Sequence, residues 1–119
     1  MSAVDLTTFK PENARDLLDA IFGEVSSVVT SSFKSFKQEV GAILSSIAHK
    51  AMMVARLLAD DQITLADADF ALHTQEVALS SVLLYSQFIT YAIAEDVRAA
   101  VFKVVVAAVK NLTGFSLNF

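Results

Sequence analysis

TLADADFALHTQEVALSSVLLYSQFITYAIAEDVRAAVFKVVVAAVKN, residues Thr64 to Asn111, decides the fold. It holds no Gly and no Pro, the two residues that most directly interrupt a helix. Thr64 is placed as an N-cap, with Asp67 three residues on to close a capping box. Asp67 and Asp69 put negative charge at the positive end of the helix dipole, Lys110 stands at the other end, and Gly114 supplies the stop. Read as one helix over 64–112, the segment is roughly 70 Å long, at about 1.5 Å per residue.

Its faces set the demand for partners. Phe70, Val77, Leu84 and Tyr91 recur at seven-residue steps and form one apolar column; Ala71, Ala78, Tyr85 and Ala92 form a second, Leu72, Leu79 and Ile93 a third, and Val82 and Ile89 a fourth. Polar residues shrink to a narrow stripe of Asp69, His73, Glu76, Ser80, Gln87 and Thr90. An ordinary surface helix is apolar over about a third of its circumference, and here more than half is apolar. One neighbouring helix is too little cover.

Upstream, residues 1–10 lack a helical period and read as a loose or extended arm. Pro11 suits a first helical turn, and Leu17, Ala20, Ile21, Val25 and Val28 then recur at helical spacing. Gly23 and the Ser/Thr-rich run 26–32 weaken propensity, so the first arm, 11–60, is expected to bend or break there. From Phe33 the pattern Phe36, Val40, Leu44, Ile47, Ala51, Val54, Leu58 is regular again. The short link at Asp60–Ile63 makes the two arms antiparallel neighbours. The expected fold is all-α: a single domain built as a long antiparallel helical hairpin, completed as a four-helix bundle by self-association. The tail 113–119 alternates Phe115, Leu117 and Phe119 with polar residues, a strand-like pattern that has to dock somewhere.

Composition narrows the function. Apolar residues make up 55% of the 119, with a mean hydropathy of +0.55. The net charge of −4 disfavours nucleic acid, whose binding needs a basic face to displace counterions. No cysteine is available for disulfides or thiolate sites. Met1–Lys10 carries no basic region followed by an apolar core, so no signal peptide is expected, and the protein is placed in the cytoplasm or within a protein assembly. His73 and Glu76 share a helical face, but their order reverses the Glu-x-x-His of di-iron bundles. Asp60, Asp61, Asp67 and Asp69 cluster at the turn without the glycine and terminal Glu of a calcium loop, and helix-end electrostatics accounts for them. His49, Lys50 and Arg56 come with no oriented partner for acid–base work. No phosphate loop, dinucleotide fingerprint or nucleophile elbow is present, and Asn111-Leu112-Thr113 is a chance glycosylation match. No catalytic, cofactor or metal residue is assigned, and the chain is not expected to be an enzyme.

A hairpin of this length is similar in outline to small secreted hairpin proteins and to rod or needle subunits of export machines. Tyr91-x-x-x-Glu95 resembles the export signal of the secreted class, whose Trp-x-Gly turn is missing here because the chain has no Trp. The resulting expectation is a non-catalytic, self-assembling helical subunit, a structural or assembly component of a phage-like or secretion-machine-like complex. It forms a homo-oligomer, dimer or higher, with other protein subunits as further partners. The expected interface residues are Val77, Leu84, Tyr85, Phe88, Tyr91, Val101, Phe102, Val105, Phe115 and Phe119. Two alternatives stand beside it. One is a small membrane-inserting or holin-like protein, since Val77–Ala94 is uncharged and about 18 residues suffice to span a bilayer. The other is a helical carrier of a small apolar ligand or metal.

Overall fold

Four helices account for most of the chain in the computed structural model, which describes residues 4–119. They are α1 (Ala14–Val28), α2 (Phe33–Ala59), α3 (Leu65–Leu84) and α4 (Tyr91–Thr113). The all-α expectation holds, with no strand among the described residues. The 64–112 segment, however, is not one helix. It breaks at Tyr85–Thr90, and α4 folds back beside α3. The longest dimension is 41 Å, which leaves no room for the 70 Å arm. The radius of gyration of 13.7 Å matches the roughly 13.5 Å of a compact chain of this length.

The break is made by side chains that compete for backbone groups. Ser86 Oγ accepts the Phe88 N–H at 3.2 Å, and Thr90 Oγ1 accepts the Ile93 N–H at 3.2 Å as the N-cap of α4. The Gln87 N–H reaches Glu39 Oε2 on α2 at 3.4 Å. Phe88, Ile89 and Tyr91 are mediocre helix formers, so the local preference for helix is weak where these alternatives arise. Ser and Thr stop this helix without Gly or Pro.

The other boundaries follow the same chemistry. Asn13, rather than Pro11, begins α1: its side chain accepts from Asp16 N at 2.9 Å, and Pro11 lies buried three residues before the first helical turn. The Ser26 and Ser27 hydroxyls bond back to the carbonyls of Gly23 and Glu24, and the helix ends at Val28, so the first arm is broken rather than bent. Between α2 and α3 the chain turns through Asp61, held at φ 61°, a left-handed conformation that Asp adopts more readily than most residues. The capping box at α3 is present in full: Thr64 Oγ1 takes the Asp67 N–H and Asp67 Oδ2 the Thr64 N–H, both at 3.1 Å. Gly114 closes α4 at φ 83°, the position where a left-handed residue satisfies the last carbonyls.

Contacts run α1–α2, α2–α3, α3–α4 and α4–α1, with α2–α4 across the diagonal, so α1 and α3 occupy opposite corners. The core between them is Leu17, Ile21, Val25, Phe36, Leu44, Ile47, Leu72, Leu79, Val97, Val101, Val104 and Val105, all closed to solvent. Most of the apolar run 99–109, which reads from sequence as a face needing other subunits, is buried within the same chain: Ala100, Val101, Phe102, Val104, Val105, Ala108 and Val109 all lie in its core, and α4 packs on α1, α2 and α3. The arm at residues 4–10 is tied down rather than loose: Asn111 Nδ2 donates to the carbonyls of Leu6 at 3.0 Å and Phe9 at 2.8 Å. Residues 1–3 of that arm lie outside the described residues.

Candidate functional site: the outer face of α3

α3 is apolar on both sides. Its inner face places Ala68, Leu72, Leu79 and Leu83 in the core. Its outer face presents Phe70, Val77 and Leu84 at 68, 66 and 63% exposure, and the break adds Tyr85 at 84% and Tyr91 at 70%. Thr74 and Ser81 lie between them, also exposed, completing the 4-3-4-3 spacing of a helix-packing seam. Both hydroxyls turn back onto their own helix, Thr74 Oγ1 to the Phe70 carbonyl at 2.9 Å and Ser81 Oγ to the Val77 carbonyl at 3.2 Å. The strip therefore shows no charge, and its two hydroxyls are already hydrogen-bonded.

Of the ten residues expected at an interface, the structure divides the set. Val77, Leu84, Tyr85, Phe88 and Tyr91 are exposed and border this strip. Val101, Phe102 and Val105 are buried in the chain's own core, Phe102 stacked against Phe119 of the tail; they are not available to another subunit. Phe115 and Phe119, about half-exposed, belong to the tail on a different side. Phe70, Thr74 and Ser81 were missing from that set. The step of seven that links Phe70 to Val77 and Leu84 was the available signal.

The tail docks in irregular form instead of as a strand. Asn118 N donates to Asp69 Oδ1 at 2.8 Å, and Asn118 O bonds His73 Nε2 at 2.9 Å. The Phe119 ring stacks on His73 at 3.9 Å and on Phe102 at 5.1 Å, while Leu117 is buried. His73 Nδ1 meets Glu76 Oε1 at 3.0 Å; Arg98 then bridges Glu76 at 2.7 Å and Glu95 at 2.9 Å. The Asn118 carbonyl first, and Glu76 second, favour protonated His73 and raise its pKa above the ordinary histidine value. Both ring nitrogens are thus committed to the protein, which leaves neither to ligate a metal or act as a base. His49 Nδ1 is likewise bonded to the Ser45 carbonyl at 2.9 Å. Among the described residues, no three His, Asp or Glu side chains converge as a metal site. Asp67 serves the α3 cap and Asp69 the tail.

The Val77–Ala94 run considered for membrane insertion is cut by the break. Among the described residues, the helix long and apolar enough by length and composition to cross a bilayer is instead α2, although Glu39, His49, Lys50 and Arg56 argue against a span there; it lies against all three other helices, with 39% of its most apolar window buried. An open groove of about 680 Å³ lies between the N-terminal arm and α4, floored by Phe102 and Val106 and rimmed by Arg98 and Lys103. No protein-family model matches the chain, and no curated protein or solved structure is significantly similar to it.

Proposed function

We propose that the chain is a non-catalytic helical subunit that associates through the outer face of α3 and serves as a structural or assembly component. One observation carries this reading. α3 buries one apolar side against its own chain and leaves a second strip, carrying Phe70, Val77 and Leu84, in water. Exposed apolar strips of this kind mark association surfaces. The commitment of both ring nitrogens of His73 to Glu76 and the Asn118 carbonyl supports a structural role for that residue.

The test is solution mass by light scattering across concentration, without detergent. The single chain is 12.8 kDa, and a mass at a multiple of that value, falling on dilution, is expected. Val77→Asp should return the single-chain mass with an unchanged helical circular dichroism spectrum, since Val77 is exposed within its own chain. A wild-type protein that stays at the single-chain mass up to about millimolar concentration, where only interactions weaker than ~4 kcal/mol escape detection, would refute the proposal.

A further inference from the structure

We infer that two copies pair with their α3 helices antiparallel, about a two-fold axis beside Val77; the inference rests on the association proposed above and specifies its geometry. The strip reads nearly the same in both directions from Val77. Reversal lays Phe70 over Leu84 and brings Thr74 within one residue of Ser81, so large apolar groups meet large ones and small hydroxyl residues meet each other. Self-complementarity of this kind is what an isologous contact demands. Ala71 and Ala78 flank the strip and let the helix axes approach to about 8–10 Å.

Charge selects the direction. The turn and start of α3 carry Asp60, Asp61, Asp67 and Asp69. A parallel pair would bring two such clusters together, whereas an antiparallel pair sends them to opposite ends and also opposes the helix dipoles. The exposed apolar area comes close to what a homodimer of standard size buries. Aromatic side chains bury about 150–250 Å² each, so the exposed parts of Phe70, Tyr85 and Tyr91 offer roughly 400 Å². Val77 and Leu84 add on the order of 100 Å². A stable interface takes about 800 Å² per partner, of which roughly 65% is apolar in homodimers.

The chain has no cysteine, so single substitutions Phe70→Cys, Val77→Cys and Leu84→Cys at these exposed positions carry unique thiols. A short bis-maleimide should join Val77→Cys copies to each other. Phe70→Cys copies should not join, because their thiols lie about 21 Å apart along the paired helices, but a mixture of Phe70→Cys with Leu84→Cys should cross-link. Ready self-linking of Phe70→Cys and of Leu84→Cys would mean parallel pairing and overturn the inference. A dimeric mass by light scattering with no cross-link at any of the three would place the contact elsewhere, overturning the geometry while leaving association standing. A single-chain mass for the wild type would remove both. Circular dichroism of each variant confirms that the fold is intact.

Discussion

Replacing Phe102 with Ala separates a core residue from an interface residue. Phe102 is 3% exposed and stacks under Phe119 at 5.1 Å. Truncating a buried Phe to Ala removes its transfer free energy and leaves a cavity, together about 3–5 kcal/mol. A chain of 119 residues has a total stability of about 6–18 kcal/mol, so the variant should lose a large share of it. At about 4 °C per kcal/mol, the midpoint should fall by roughly 12–20 °C. Leu84→Ala is the internal control. Leu84 is 63% exposed, so only about a third of a leucine's burial is at stake and the loss should be about 1 kcal/mol or less. Both are measured by thermal and urea melts followed by circular dichroism, at a protein concentration low enough for the wild type to be a single chain. Equal losses for the two variants would refute the division of the apolar residues into covered and uncovered sets. So would a Phe102→Ala protein of unchanged stability that had lost only its ability to associate.

The break between α3 and α4 predicts that Thr90→Ala removes an N-cap worth about 1 kcal/mol and lowers the midpoint by roughly 3–6 °C, while Thr90→Ser retains most of it; equal midpoints for all three proteins would remove Thr90 from the account. For His73, the raised folded-state pKa means that its contribution to tail docking is complete below the unfolded histidine value and is lost as pH rises through the higher folded value. NMR of the Leu117 methyls should therefore report a docked tail near pH 5 and a loosened one well above the histidine range, and His73→Gln should flatten that profile; an unchanged profile in the variant would assign the response to another group.

Much of the helix chemistry was legible in the residues. The Thr64–Asp67 box, the Gly114 stop, the regular seam of α2 and the weak Ser/Thr run before it all act locally, so spacing alone places them. The Tyr85–Thr90 break was not legible, because its cause is shared between Ser86 and Thr90, which look innocuous inside an apolar run, and Glu39, which is distant in sequence and meets Gln87 only in the folded chain. That one missed interruption changed the fate of Val101, Phe102 and Val105, since a helix that doubles back can shield its own apolar residues. The outer face of α3 survived the change. Its seven-residue step was readable throughout, whereas the return of the Thr74 and Ser81 hydroxyls onto their own carbonyls required coordinates.

The corner opposite α3 belongs to α1, whose exposed residues are Arg15, Asp19 and Ser27, with no large apolar side chain among them. If copies pair through the proposed α3 corner, the facing corner offers them no second apolar contact. Copies joined by that corner alone saturate as soon as they meet, so growth into fibres or lattices would have to recruit some additional point of attachment.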